Sequence, residues 1–297
     1  MKPRTIATRL IAPFSLFLAL FPVSVEAAPV TPFVPEPHEF TAAIVMVPRT
    51  HEVLYAYEAT KPHPAASLTK LVNALAFVKA APTWNTIISL KKEDEVGGGR
   101  LRVATGARMS IKDLMYSSIT ASANNAATAM MRLSGKKKSV FLKEMNQTVA
   151  KTGAKYSTFV DASGMDPRNM TTANDMALIA DTAFRDPTIR RAATTMKYTF
   201  VVRNTGEKKT ITNTNTLLTQ DPDVWVVGGK TGYLEESKYN LVVQMRPILA
   251  GGSSVPNKEV IVVVFGAPTK DGQFISAKRL AQWAWQQYEF PRPRQTP

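Results

Sequence analysis

The sequence contains no cysteine and only three histidines among its 297 residues. Without disulfides, the fold must be stabilised by its core alone. The histidines, His38, His51 and His63, lack the clustered spacing of zinc ligands, so we expect no metal and no cofactor. A histidine-based hydrolase is an alternative, since His63 lies close in sequence to Ser67, a candidate nucleophile. No Gly-x-Ser-x-Gly motif supports this alternative.

Long apolar runs are also missing after the first 27 residues, and no later stretch is apolar enough to span a membrane. Residues 1–27 have a basic start, an apolar stretch from Leu10 to Val25 and small residues ending at Ala27. This pattern predicts a cleaved secretory signal peptide. An uncleaved membrane anchor is the alternative, although the apolar stretch is short for a bilayer. We therefore expect an exported protein of the periplasm or cell-wall space.

Acidic residues are scarce relative to basic ones, with 23 Asp and Glu against 37 Lys and Arg, so the net charge is +14. Such a charge favours anionic surroundings. Nucleic acid is not an expected partner, because export argues against it and no module of interleaved basic and aromatic residues is present. Anionic polymers of the cell envelope are the better candidates.

The periodicity of the chain predicts an α/β protein of the α+β type, in which helices flank an antiparallel sheet and form an inserted helical lobe. The predicted strands are Thr41–Val47, Glu52–Glu58, Ile87–Leu90, Tyr198–Val202, Val224–Val227, Tyr239–Met245 and Val260–Phe265. The predicted helices begin near Ser67, Ser110, Ala126, Val140, Thr172 and Gln273. We expect the last of these helices to pack on the sheet instead of lying on a membrane.

Three Ser-x-x-Lys patterns occur, but only Ser67-Leu68-Thr69-Lys70 opens a helix with an apolar face. On a helix, Ser67 and Lys70 share one face, so the amine can reach the hydroxyl. A serine needs a base to become a nucleophile, and a lysine can act as that base only when it is neutral. Burial and a second nearby cation both lower a lysine pKa, so the pair predicts a desolvated, electropositive cleft. A simple helix N-cap is the alternative role for Ser67.

Two further motifs add chemistry to this serine. Ser122-Ala123-Asn124 is the only Ser-x-Asn in the chain, and it is either a local turn or a polar loop facing the Ser67 helix. Lys230-Thr231-Gly232 follows an apolar β-branched run, which predicts a position at the end of a strand. Its lysine and threonine could hold a carboxylate, and its glycine lets a substrate backbone approach closely.

Two other glycine-containing stretches are predicted to be structural and not part of a binding site. The second Lys-Thr-Gly copy ends at Gly153, where a glycine is expected to cap the end of a helix. The run Gly97–Gly99 has the glycines of a phosphate-binding loop, but no strand precedes it and no Lys-Ser pair follows. We interpret the run as a turn.

The ordered motifs resemble those of the active-site-serine penicillin-binding proteins and β-lactamases. The chain is most similar to the D-alanyl-D-alanine carboxypeptidases of peptidase family S11, over roughly residues 40–288. Further stretches that look like family landmarks are Thr172–Ala177, Asn213–Leu218 and Gly229–Tyr233. Ala123 and Asn125 replace the usual glycine and aspartate of the second motif.

The resemblance implies a β-lactamase/transpeptidase-like fold and a catalytic domain over residues 40–290. An extended lead-in (28–39) would precede this domain and a tail (291–297) would follow it. It implies Ser67 as nucleophile, Lys70 as base and Ser122 as proton relay. The substrate-binding residues that it implies are Asn124, Lys230, Thr231, Gly232 and Tyr233. Peptidoglycan stem peptides would be the substrate, and β-lactams would be covalent inhibitors.

Several alternatives remain open. The short build, which stops soon after the catalytic domain, is similar to the D,D-endopeptidase branch of the family, which cuts crosslinks. A β-lactamase is another alternative, but no glutamate lies in an obvious deacylation loop, so slow turnover of penicillin is expected. A basic wall-binding protein with a retired active site is the third, and the intact set of motifs argues against it.

Overall fold

A computed structural model of the chain describes residues 31–36 and 38–290. A five-stranded antiparallel sheet lies at its centre, in the spatial order β2-β1-β11-β10-β9. Three further strand pairs are β3 with β6, β4 with β5 and β7 with β8. The strands are β1 (Ala42–Met46), β2 (Val53–Tyr57), β3 (His63–Pro64), β4 (Ile87–Ser89), β5 (Arg108–Ser110), β6 (Met170–Thr171), β7 (Lys197–Val201), β8 (Lys208–Thr212), β9 (Val224–Leu234), β10 (Lys238–Pro247) and β11 (Val260–Ala267).

Most helices lie between the two halves of the sheet in sequence. They are α1 (Thr69–Lys79), α2 (Ile111–Ile119), α3 (Asn124–Leu133), α4 (Lys138–Ala150), α5 (Ala173–Arg185), α6 (Pro187–Ala193), α7 (Thr216–Gln220) and α8 (Gly272–Gln287). Two of the predicted helix starts have a side-chain cap. The Ser110 hydroxyl accepts from the Asp113 N–H, and the Thr172 hydroxyl accepts from the Asp175 N–H. These bonds satisfy N–H groups that the first turn of a helix leaves free.

The two faces of the sheet are both buried. On one face, Ile44, Val242 and Val263 pack toward the helical lobe. On the other, Val243 and Val262 pack against Leu280 of α8, and this contact confirms the expected place of the closing helix. Because strand side chains alternate in direction, adjacent residues of β10 and β11 supply the two cores. The predicted antiparallel sheet with flanking helices and a helical insertion is confirmed.

The predicted strand Tyr198–Val202 is observed as β7, outside the five-stranded sheet. It pairs with β8 in a separate hairpin. The partner sequence Lys208-Lys209-Thr210-Ile211-Thr212 contains one apolar residue, so its alternation was too weak to predict a strand. Tyr198 fixes the hairpin to α2 by donating from its hydroxyl to Asp113 Oδ1 at 2.7 Å.

The ends of the chain are only partly described. The predicted signal peptide and the tail after residue 290 lie outside the described residues. Within the proline-rich lead-in, residues 31–36 form no regular structure, and Phe33 packs edge-on against Tyr55 and Trp283. None of the helices in the described part of the chain is both long and apolar enough to cross a bilayer.

Candidate active site

Ser67 lies in a 3-10 turn, Ala66–Leu68, that leads directly into α1. The preceding residue, Ala66, has a left-handed backbone with φ +48°. Two glycines allow other segments to approach this turn. A Cβ on Gly164 would overlap the carbonyl of Ala66, and a Cβ on Gly232 would lie 3.2 Å from the Ser67 nitrogen. The serine is therefore held between the loop around Gly164 and strand β9, directly after a residue with a strained backbone, as is typical of functional sites.

Lys70 lies one turn later, and its side chain is completely buried. Its Nζ donates to Ser67 Oγ at 2.7 Å, to Asn124 Oδ1 at 2.6 Å and to the Ser163 carbonyl at 2.5 Å. Burial lowers the pKa of Lys70 from 10.5 to about 7, and the charge of Asp161 opposes that shift. A large fraction of the amine is therefore neutral near neutral pH, as a base requires.

Asp161 organises the loop that presents the Ser163 carbonyl to Lys70. Its carboxylate accepts from the backbone N–H groups of Ser163, Gly164 and Asp166 and from the side-chain amide of Asn169. These contacts fix the loop against the start of α1. Asp161 was not among the predicted site residues, although the run Asp161-Ala162-Ser163-Gly164 is typical of a turn capped by an aspartate side chain.

Ser122 and Lys230 form a second hydrogen-bonded pair. Lys230 Nζ donates to Ser122 Oγ at 2.8 Å and to the Thr231 carbonyl at 2.8 Å. Burial lowers the pKa of Lys230 well below its usual value, and the charge of Lys70 adds to that effect. Ser122 has φ +59°, an uncommon conformation for a residue with a side chain. The two lysines thus make the desolvated, electropositive centre that the sequence predicts.

The Lys-Thr-Gly segment lies inside β9 and not at its end. Lys230 pairs with Val242 and Gly232 with Asn240 along β10, and β9 continues to Leu234. The predicted end-of-strand position is therefore wrong, because the apolar run stops at Val227 while the backbone pairing continues through the glycines. β9 is an edge strand of the main sheet, so its outer side borders the cleft.

A cleft of about 740 Å³ opens over the serine. The predicted residues in its wall are Ser67, Ser122, Asn124, Thr231, Gly232 and Tyr233, whereas Lys70 and Lys230 lie behind them. Thr231 Oγ1 is 2.6 Å from Thr214 Oγ1. Tyr233 is 46% exposed, and its ring packs against that of Tyr239, with ring centroids 4.5 Å apart. All eight predicted site residues are thus brought around one cleft.

The wall also contains residues that the sequence did not identify. The Gly97–Gly99 run is confirmed as an irregular turn, but it also borders the cleft. Asn124 Nδ2 donates to the Gly97 carbonyl at 2.9 Å, and the Asn124 N–H donates to the Gly99 carbonyl at 2.8 Å. The same asparagine that contacts Lys70 therefore holds this loop. Met165 lies on the same wall.

The histidines make their contacts elsewhere. His63 Nε2 lies 3.1 Å from the Ser237 carbonyl, and its ring stacks on Phe265. His51 lies 2.8 Å from Asp181. Among the described residues, Lys70 is the side chain with a hydrogen bond to the Ser67 hydroxyl. The geometry therefore favours lysine over histidine as the base.

Comparison with known proteins agrees with this arrangement. The chain is 28% identical over 258 residues to D-alanyl-D-alanine carboxypeptidase DacF of Bacillus subtilis, covering 85% of this chain and 64% of that protein. It is 26% identical over 282 residues to the D-alanyl-D-alanine endopeptidase of Pseudomonas aeruginosa, covering 93% of this chain and 88% of that protein. The chain thus spans about two thirds of the first relative and most of the second.

The fold is shared with solved structures. The Streptomyces K15 DD-transpeptidase superposes with a TM-score of 0.74 at 21% identity, covering 86% of this chain and all of that one. This likeness confirms the transpeptidase-like fold. The D-alanyl-D-alanine carboxypeptidase family profile, peptidase S11, matches residues 30–269. The chain therefore belongs to the S11 family of D-alanyl-D-alanine carboxypeptidases.

Proposed function

We propose that this protein is a serine-type D,D-carboxypeptidase that removes the terminal D-alanine of peptidoglycan stem peptides through an ester on Ser67. One observation carries the proposal: a buried lysine with a pKa of about 7 lies 2.7 Å from the Ser67 hydroxyl. Few structural roles require that pairing, since burying a lysine costs free energy. Family membership supplies the substrate class.

The first half of the reaction forms the ester. Neutral Lys70 takes the Ser67 proton, and Oγ attacks the carbonyl carbon of the penultimate D-alanine. The backbone N–H groups of Ser67 and Tyr233 are proposed to stabilise the oxyanion. When the C–N bond breaks, the leaving amine takes a proton that reaches it through Ser122, whose hydroxyl bonds Lys230. The products are free D-alanine and the acyl-enzyme.

The second half releases the peptide. Lys70 is neutral again once its proton has passed to the amine, so it can take a proton from water. The resulting hydroxide attacks the ester, and the bond to Oγ breaks as Ser67 regains a proton. Thr231 lines the cleft and Lys230 lies behind it, so together they are suited to hold the terminal carboxylate of the substrate. An approaching carboxylate would also raise the lowered pKa of Lys230 and so favour its charged form.

A β-lactam places its reactive carbonyl where the peptide carbonyl would lie. We therefore expect a labelled penicillin to form a stable adduct, detected by intact mass and located on Ser67 by peptide mapping. The Ser67→Ala variant should take no label, and His63→Ala should take as much as the wild type. Absence of any adduct would contradict the proposal and favour a wall-binding protein. Rapid hydrolysis of penicillin would favour a β-lactamase instead.

Cleavage of peptide crosslinks is the second candidate activity. The Pseudomonas aeruginosa relative, named as an endopeptidase, matches nearly the full length of both chains. A digest of purified wall fragments distinguishes the two activities, because a carboxypeptidase releases free D-alanine and an endopeptidase releases uncrosslinked fragments. Either activity requires export, so we also propose a signal peptide over residues 1–27 and a location in the periplasm or cell-wall space. The catalytic domain would then be residues 40–290.

A further inference from the structure

A second cleft, of about 970 Å³, opens beside the catalytic one. The two share Gly98, Gly99 and Ala121 in their walls, so they adjoin at these small residues. We call this second space the lateral cleft. The charged residues that line it are Glu95, Arg100, Arg102, Glu207 and Lys209.

The charges of the lateral cleft are only partly balanced within the protein. Lys209 Nζ lies 2.5 Å from Glu207, so these two neutralise each other. Glu95 accepts from the side-chain amide of Asn125 at 2.9 Å. Arg100 and Arg102 are exposed, and neither makes an ion pair with a described residue. Two guanidinium groups are therefore available to a ligand in this space.

The arginines are attached to the catalytic motif by backbone contacts. Leu101 lies between them in the sequence and is buried. Its backbone N–H and carbonyl both bond the side chain of Asn125. The Leu101 N–H donates to Asn125 Oδ1 at 2.9 Å, and Asn125 Nδ2 donates to the Leu101 carbonyl at 3.0 Å. Asn125 directly follows Asn124, which bonds Lys70. The position of the two arginines relative to the base is therefore fixed by neighbouring residues on one helix.

Asn125 is also one of the two departures from the family motif. As an amide, it donates to Glu95 and to the Leu101 carbonyl while accepting from the Leu101 N–H. An aspartate could not make the two donations, and its charge would lie beside the carboxylate of Glu95. The asparagine can therefore bond both ends of the loop that contains Glu95, Arg100 and Arg102, without adding a negative charge beside Glu95.

We propose that the lateral cleft extends the substrate groove and that Arg100 and Arg102 bind a carboxylate of the peptide upstream of its D-alanyl-D-alanine end. A guanidinium matches a carboxylate in shape and charge and can bind it through two parallel hydrogen bonds. Gly98 and Gly99 carry no side chain, so they add none to the wall between the two clefts. This inference rests on the proposed function, and it makes the protein selective for acidic stem peptides.

The test compares two acylated peptides ending in D-alanyl-D-alanine, one with a glutamyl carboxylate upstream and one with glutamine in its place. We expect the double variant Arg100→Gln/Arg102→Gln to lose about tenfold in kcat/KM on the acidic peptide and to be unchanged on the neutral one. Added salt should weaken the wild-type preference, because exposed charges are screened. The matched control is Arg190→Gln/Arg191→Gln, which removes the same charge from α6, away from both clefts.

The outcomes distinguish a failure of the proposed carboxylate site from a failure of the proposed carboxypeptidase activity. Equal loss on both peptides, no loss on either, or the same loss in the control would overturn the lateral cleft as a carboxylate site. Penicillin labelling of the variant at the wild-type rate would show that its catalytic centre is intact. Wild-type protein that takes no label and cleaves neither peptide would refute the proposed function, and with it this inference.

Discussion

The pH dependence of serine acylation tests the central chemical claim most directly. Only the neutral amine of Lys70 can take the Ser67 proton, so the acylation rate should follow the neutral fraction. With a pKa of about 7, that fraction is about half at pH 7 and falls about tenfold for each unit below it. An unperturbed lysine, with a pKa near 10.5, would instead give a rate that climbs until pH 10.

The assay is the second-order rate of penicillin labelling between pH 5 and 10, followed by intact mass. We expect a rate that rises tenfold per unit up to about pH 7 and then levels. The Lys70→Arg variant is the control, because a guanidinium stays charged across this range. It should label about 10²- to 10⁴-fold more slowly than the wild type above pH 7, and its rate should not rise tenfold per unit between pH 5 and 7. A wild-type rate that still rises beyond pH 9, or one that is flat from pH 5 to 8, would refute the assignment of Lys70 as the base.

The stability of the fold and the acylation rate depend on Lys70 in different pH ranges. Between pH 7 and 10.5, the unfolded chain binds a proton at Lys70 that the folded chain does not. The Lys70 contribution to the free energy of unfolding therefore decreases as the pH falls through that window, by at most about 1.4 kcal/mol per unit. Below pH 7 both states are protonated and this contribution is constant. The loss of labelling below pH 7 is therefore not a consequence of this stability change.

Two further predictions concern the backbone around the serine. Gly164→Ala should lower the thermal midpoint by several degrees and slow labelling more than tenfold, because its Cβ would overlap the Ala66 carbonyl. Gly206→Ala is the control, with φ +74° but no atom within 4 Å of a Cβ, and equal effects in both variants would contradict the steric argument. Ser122→Ala and Ser122→Gly should both slow labelling about 10²-fold or more, since each removes the hydroxyl bonded to Lys230. The glycine variant should melt at a higher temperature than the alanine variant, because it relieves the φ of +59°, and a variant that labels normally would exclude Ser122 as the relay.

The local parts of the fold could be predicted from sequence because their causes are local. Ser110 and Thr172 were identified as helix starts, and each makes its cap bond to a residue three positions later. Gly153 was expected to end a helix, and it follows α4 with φ +89°. Strand β11 was found for a similar reason, since its continuous apolar run, Val260–Phe265, is typical of a strand buried on both faces.

The parts that failed depend on distant contacts. Nothing in Gly97–Gly99 indicates that Asn124, 27 positions later, bonds the first of these glycines. Strand β8 is mostly polar, so its pairing with β7 could be recognised only in the folded chain. The site itself was predictable because three short motifs carry its chemistry. Their spacing does not say that Lys230 contacts Ser122, which requires β9 to lie against the start of α3.

The order of strands in the main sheet has a consequence for synthesis of the protein. Strand β1, near residue 42, lies between β2 and β11, and its register pairs Ala42 with Phe265. Strand β9 contacts the Ser67 turn directly, but within the sheet it is joined to β1 only through β10 and β11. Almost the whole domain must therefore be synthesised before this sheet can form beside the cleft. Such long-range pairing slows folding. A truncated chain that ends before β11 should therefore not react with penicillin, even after long incubation.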